Sequence, residues 1–180
     1  MIQPDVLKEF KAYLASHQKK LQQSYDAWAA TFAAWKAANP EKAALLQSGL
    51  DNEVPDDIDA AIPAFSDDPA ATRSTGGKVL NAIASKMPLL ISGSADLHGS
   101  TKNYLADGGD FSRDNHTGRN ILFGIREHAM GAIMNGYAYH GIFRCSGATF
   151  ATFSDYMRPS VRLAALVGLP VFYIWTHDSV

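Results

Sequence analysis

Cysteine is nearly absent from this chain: Cys145 is the only one in 180 residues. No internal disulfide can form, which agrees with a reducing compartment, and a lone cysteine of this kind reads as a small buried apolar residue rather than a nucleophile. An excess of either charge is also lacking. Sixteen Lys and Arg stand against eighteen Asp and Glu, for a formal net charge of -2 and a pI of about 6.3. The basic residues are scattered, with no stripe carrying interleaved aromatics, so a binder of nucleic-acid backbones is excluded. Long apolar runs are missing as well. The stretch from Val161 to Trp175 is broken by Arg162, Gly168 and Pro170, and the N-terminus has no basic segment leading into an apolar one. Neither a membrane span nor a secretory leader is expected, and the expected location is cytoplasmic. The histidines His17, His98, His116, His128 and His140 show no metal-ligand spacing, and Gly108-Gly109 reads as a turn rather than a phosphate loop. No metal-ligating residue is expected here.

What is present is the composition of a globular chain, 47% hydrophobic and 19% charged, with room for one domain and a smaller piece. From Val6 through Phe10, Leu14, His17, Leu21, Tyr25, Trp28, Phe32 and Trp35, mostly bulky residues recur every three or four positions behind Pro4 and Asp5. This spacing predicts a long amphipathic helix whose stripe is a packing surface. Asn39-Pro40-Glu41 reads as N-cap, N1 and first-turn acid of a second helix ending near Gly49. Between Asp51 and Asp68 lie seven acids, two prolines (Pro55, Pro63) and no Lys or Arg, so that segment is expected to be an extended connection without regular structure. A domain boundary is placed there: residues 1–70 as helical and extended linker, residues 71–180 as the domain proper.

Beyond the boundary, helix and strand signals alternate. A helix near Ser74 to Lys86 leads to Pro88 through Asp96, an apolar strand ending in small residues and an acid. A loop rich in Gly, Asp and Asn (Asp107 to Gly118) precedes a strand near Ile121, a helix from about Arg126, a short strand near Phe143, a helix over Asp155 to Leu166 and a strand over Pro170 to Trp175. The fold class is therefore α/β, with a mainly parallel sheet and flanking helices, whose ligands gather beyond the carboxyl ends of the strands, where Asp96 and His177 fall. Only about four strands are expected. The chain stops just after one, so the domain looks unfinished, and an edge this apolar should be covered by further chain or a partner.

Gly124 to Gly136 places Arg126, Glu127 and His128 at the mouth of a run that is small and apolar on every side. The helix is expected to be buried all round, and a carboxyl group in such a place needs a partner. Read by itself, Glu127 is a first-turn acid favoured by the helix dipole. Phe150, Phe153 and Tyr156 recur at a spacing that a turn or helix start gathers on one side; by themselves they read as core. Asp96 by itself caps the turn after its strand.

Five segments in order, Gly93-Ser94-Ala95-Asp96-Leu97, Gly124 to Gly136, Gly147-Ala148-Thr149-Phe150, Phe153 to Pro159 and Thr176-His177-Asp178-Ser179, closely resemble transketolase. The resemblance extends over nearly the whole sequence but matches only a middle portion of a much longer enzyme. It implies the first part of a pyrimidine-binding domain, preceded by the segment that joins it to a diphosphate-binding domain. The implied enzyme is a thiamine-diphosphate-dependent transferase of the pentose phosphate pathway, moving a two-carbon ketol unit from a ketose phosphate to an aldose phosphate.

By this resemblance Glu127 is the activating carboxyl. It meets the pyrimidine nitrogen remote from the thiazolium and promotes the imino tautomer that removes the thiazolium proton. Phe150, Phe153 and Tyr156 surround the aminopyrimidine, and Asp96 shapes the site beside it. His177 hydrogen-bonds the substrate's oxygens, and Arg73 and Ser100 hold its phosphate. After Ala95-Asp96-Leu97 the family usually shows a small residue and proline, whereas this chain has His98-Gly99. The family's Mg2+ and diphosphate are held by a Gly-Asp-Gly motif in the diphosphate-binding domain, and no such motif occurs here. Transketolase sites lie between subunits, so the implied partners are phosphosugars and a second copy or complementary subunit, and a lone chain of this length is expected to be inactive. Two other readings stay open: a related enzyme such as dihydroxyacetone synthase, and a non-catalytic remnant that binds a transketolase subunit.

Overall fold

Short runs rich in β-branched and small residues, each followed by a helix, have one economical arrangement, a parallel sheet with helices on both faces. The computed structural model describes residues 3–178 and has that arrangement. Residues through Gln47 cluster as one compact unit and those from Ser48 onward as another.

In the first unit, helix α1 runs Pro4–Ala38 with Pro4 in its first turn, the position where proline costs no hydrogen bond. Its aromatic stripe stacks along the helix: Trp28 on Phe32 at 5.2 Å between ring centres, Phe32 on Trp35 at 5.8 Å. No residue of α1 is buried. Helix α2 follows over Pro40–Leu50. Asn39 holds the N-cap position as expected, but its side chain does not cap α2. Its side-chain amide donates backward to Trp35 O at 2.9 Å, closing α1, while its carbonyl accepts from Ala43 N.

In the second unit, the acidic connection is not wholly irregular, since Asp59–Ala61 forms a 3-10 turn. It is tied to the next helix by Lys86 Nζ to Asp57 at 2.5 Å. The sequence then gives α3 (Thr72–Lys86), β1 (Leu90–Ser94), a one-turn α4 (His98–Thr101), β2 (Asn120–Leu122), α5 (Glu127–His140), β3 (Arg144–Phe150), α6 (Ser154–Val167) and β4 (Val171–Thr176). All pairings are parallel and the strand order is β2-β1-β3-β4. The third strand starts just after Phe143 and is longer than expected. At the β4 edge Phe172 and Trp175 are exposed.

The sheet can accept α5 closely because Gly93 and Gly147 are register partners. A side chain at Gly147 would meet Met134 Sδ at 2.1 Å, and one at Gly93 the Phe123 ring at 2.2 Å. Two adjacent glycines thus make a trough, and Phe123, Met130 and Met134 fill it as the core between the sheet and α5 and α6. Ala84, Leu90 and Leu105 form a second core around α3. Cys145 is buried, its Sγ 3.2 Å from Met134 O, and burial pushes its thiol up to about 11, so it is an inert packing group.

Helix α5 departs from the expectation of burial on every side. Glu127, Met130, Gly131, Met134, Asn135 and Ala138 are buried, but Ile133 is 47% and Tyr139 66% exposed. Its inner face is set by the trough and by α6, where Gly131 brings Ser160 close and Ser160 Oγ reaches His128 O at 3.2 Å.

Candidate active site

The carboxyl ends of β1, β3 and β4 open onto one edge of the sheet, and each delivers a residue picked out from the sequence. After β1 the chain passes Ala95 into Asp96, which takes a left-handed backbone (φ 64°) and is exposed. Ser94 Oγ fixes that turn by donating to Ala148 O at 3.0 Å and accepting from Leu97 N at 3.1 Å.

After β3, a 3-10 turn at Ala151–Phe153 leads straight into α6, so residues at three-residue spacing share a side. Phe150 and Phe153 stand 5.9 Å apart and nearly parallel, and Phe153 and Tyr156 are 6.1 Å apart. The turn is held from β4's end, where the Asp178 carboxylate accepts Thr152 N at 3.0 Å. His177 meets Phe150 edge-on at 4.8 Å. Arg73, in the first turn of α3, places Nη1 against both ring nitrogens of His177, 2.8 Å from Nδ1. Arg73, His177, Phe150, Phe153 and Tyr156 therefore form one continuous row. Ser179, also part of the motif, lies outside the described residues.

Glu127 stands apart from that row at the first position of α5, 8% exposed. Among the described residues nothing hydrogen-bonds or ion-pairs its carboxylate. Its neighbours are engaged elsewhere: Arg126 Nη1 donates to Phe123 O at 2.7 Å, and His128 Nδ1 lies 3.0 Å from Ser160 Oγ. Thr149, on the α5-facing side of β3 one strand step beyond Gly147, is fully buried with its Oγ1 unpartnered. Buried polar groups in folded proteins are nearly always satisfied, so the Thr149 hydroxyl, together with a Glu127 carboxylate that no described residue meets, marks a place for a bound polar group.

A cavity of about 500 Å3 lies beside the row, lined by Arg73, Gly77, Lys102, Asn103, Thr176 and His177 among others. It has two cationic walls and no acid, which suits an anion. Ser100 is not in its lining; it sits on α4 one residue before Thr101, which is. No hydrogen bond or ring contact joins Asp96, Ser100 or Glu127 to the row. No group of three or more His, Cys, Asp or Glu is gathered as for a metal among the described residues.

Sequence reading missed a polar network under this wall. Ser92, Ser94, Ser146, Thr101, Asn103 and Asn120 are all buried. The available signal was the alternation of small hydroxyl residues with apolar ones in β1 and β3. His98 joins the network through Nδ1, 3.1 Å from Asn103 Oδ1, and meets the Tyr104 ring edge-on at 5.4 Å. Burial holds His98 below the usual histidine range, against the opposing pull of nearby backbone, Asn103 and Asp110. The folded state therefore binds this proton less tightly than the unfolded chain does. Its contribution to stability is complete above the ordinary value of 6.5 and is lost as pH falls from there toward the lower folded value. Urea midpoints measured at pH 7.5 and 5.5 are expected to fall by less in His98→Asn than in the unaltered protein; equal falls would refute the assignment.

Comparison with known proteins places this geometry. Residues 68–180 match the family model of the transketolase pyrimidine-binding domain. The chain is 57% identical over 175 residues to a transketolase of Physarum polycephalum, and 57% identical over 173 residues to one of Dictyostelium discoideum. These alignments take in 97% and 96% of this chain but 26% of each relative, so the chain spans about a quarter of the length of the curated proteins it matches. Among solved structures, a transketolase of Leishmania mexicana superposes with a TM-score of 0.88 at 35% identity, covering 99% of this chain and 26% of that one. A Pichia stipitis transketolase in complex with sedoheptulose 7-phosphate gives 0.83 at 38% identity, covering 99% and 27%. No described helix is long and apolar enough to cross a membrane.

Proposed function

The chain belongs to the transketolase family, and on that premise we propose that it forms the pyrimidine side of an active site that moves a two-carbon ketol unit from a ketose phosphate to an aldose phosphate. Residues 71–180 are assigned to the pyrimidine-binding domain and residues 1–70 to the segment leading into it. The observation that carries the reading is Glu127, a largely buried residue at the start of α5 whose carboxylate has no partner among the described residues.

The residues present fit thiamine diphosphate, whose aminopyrimidine would satisfy that carboxylate and lie against the aromatic row. When bound, this cofactor supplies the carbanion-stabilising chemistry that ketol transfer requires. The chain's own contribution is positioning and proton handling. Glu127 holds a proton at a ring nitrogen of the pyrimidine, free to do so because no described protein group engages its carboxylate. Phe150, Phe153 and Tyr156 offer stacking faces, each good ring contact contributing about 0.5–1.5 kcal/mol. Asp96 shapes the floor beside them. Arg73 and Ser100 hold the substrate phosphate, and His177, fixed by Arg73 and Phe150, hydrogen-bonds substrate oxygens. Magnesium and the diphosphate are assigned to another segment of the enzyme, facing this one across a subunit boundary in a cytoplasmic dimer. By itself the chain supplies half of a site, and no turnover is expected from it.

The test is ketol transfer by the enzyme carrying this chain, assayed with ribose 5-phosphate and with ribose as acceptors. Arg73→Ala removes a charge-assisted contact of about 1.5–3 kcal/mol, so KM for ribose 5-phosphate is expected to rise roughly tenfold to a hundredfold, with KM for ribose rising by a clearly smaller factor as His177 loses its anchor. An equal effect on both acceptors, or none, contradicts the phosphate role. Thiamine-diphosphate-independent activity, or no ketol transfer at all, contradicts the function.

A further inference from the structure

Helix α4, His98–Thr101, carries Ser100 and follows directly on Asp96, yet four residues with a glycine among them do not hold a helical turn unaided. The turn is held by Asn103, a side chain 1% exposed whose hydrogen-bonding groups are all engaged. Its Nδ2 donates to Ser92 Oγ at 2.9 Å and to Gly93 O at 2.7 Å, both on β1. Its Oδ1 accepts Thr101 Oγ1 at 2.7 Å and lies 3.1 Å from His98 Nδ1. The Gly93 carbonyl fixes which end of the amide is nitrogen. Oδ1 can then only accept, so His98 Nδ1 is the donor. One buried amide thus clamps the first and last residues of α4 to β1. The clamp is anchored in turn: Ser92 Oγ donates to Asn103 O at 2.7 Å, and Ser146 Oγ on β3 reaches Ser92 Oγ at 3.0 Å.

Thr101, Lys102 and Asn103 line the same cavity as Arg73 and His177. We propose that Asn103, acting through His98 and Thr101, is a positioning residue that sets Ser100 and this cavity wall against the phosphate of a phosphosugar, an inference that rests on the phosphate role given above to Arg73 and Ser100. The side-chain groups of Asn103 are all engaged within the protein, so it acts through its neighbours. Its effect is confined to the phosphate end, because its contacts run to β1 and α4 and none runs to Glu127 or the aromatic row.

The enzyme carrying Asn103→Ala is expected to show KM for ribose 5-phosphate raised about tenfold, with kcat within about twofold and KM for ribose unchanged. His98→Ala is expected to raise the same KM by a smaller factor. His98→Asn, whose Nδ2 replaces the lost donor, is expected to restore it. A merely structural amide would lower kcat, or raise KM for both acceptors alike, and either result overturns the inference. If Asn103→Ala does not fold, the two His98 variants decide the matter, since equal behaviour of Ala and Asn there also overturns it. Arg73→Ala separates the two levels. If it raises KM for ribose 5-phosphate while the Asn103 and His98 variants do not, this inference alone fails; if it does not, the phosphate reading fails with it.

Discussion

Glu127→Gln is expected to lower ketol transfer by about 10²–10⁴-fold, the usual contribution of a positioned acid–base group, with little change in the temperature of unfolding. The substitution keeps shape and volume and removes only the ability to carry and share a proton. What distinguishes the catalytic reading is the unequal size of its two effects. The Glu127 carboxylate makes no hydrogen bond or ion pair among the described residues, so its loss removes no contact from the fold. The helix dipole favours the charge by about 0.3–1 kcal/mol, so the neutral amide should change stability by no more than that. A purely structural first-turn acid would behave in the reverse way, its loss weakening α5 and sparing turnover. Steady-state rates and thermal unfolding of the same preparation decide between them. Near-normal activity in Glu127→Gln without excess thiamine diphosphate would sink the catalytic assignment.

Much of this arrangement could be read from local pattern. Helix α1 carries its own periodicity, α5 and strands β1 and β4 read as apolar runs, and turn chemistry separates the elements, so element order and the parallel sheet followed. The grouping of Phe150, Phe153 and Tyr156 was legible for the same reason: spacing of three across a 3-10 turn into a helix is a local property. The outer face of α5 was not. Ile133 and Tyr139 are as apolar as Met130 and Met134, and which of them meet the sheet is decided by Gly93 and Gly147, the latter on a strand not yet formed in sequence order. The Asn103 clamp was hidden by distance along the chain. Its partners are 10 and 11 residues earlier, and the serine that anchors it from β3 is 54 residues from Ser92. No periodicity announces a polar network of that kind. Asn39 shows a competing local choice, since an asparagine between two helices can cap the second or close the first, and here it bonds backward.

Gly77→Ala and Gly76→Ala are expected to move stability in opposite directions, although the two glycines are adjacent in α3. At Gly76 a methyl group meets nothing within 4 Å. The replacement there gains helix propensity of about 1 kcal/mol. At Gly77 the same methyl group would stand 2.3 Å from Lys102 O and 3.0 Å from Lys102 Cβ. The obstructing oxygen is backbone, and it belongs to a residue already in the left-handed conformation (φ 61°) and followed by the clamped Asn103, so it has little freedom to retreat. Overpacking of this kind costs about 1–3 kcal/mol, which exceeds the propensity gain and leaves a net loss of up to about 2 kcal/mol. At about 2–4 °C per kcal/mol for a chain of this size, the two variants should differ by up to roughly 6–12 °C in the midpoint of unfolding. The strain has a direction as well as a size. Relief comes by pushing the Lys102 peptide away from α3, which widens the cavity between Arg73 and the Thr101–Asn103 wall. Gly77→Ala should therefore also raise KM for ribose 5-phosphate relative to ribose; Gly76 lines the same cavity, so its variant serves as the comparison for stability alone. Matching midpoints for the two variants would show that α3 and the Lys102 turn are not in the close contact from which both effects follow.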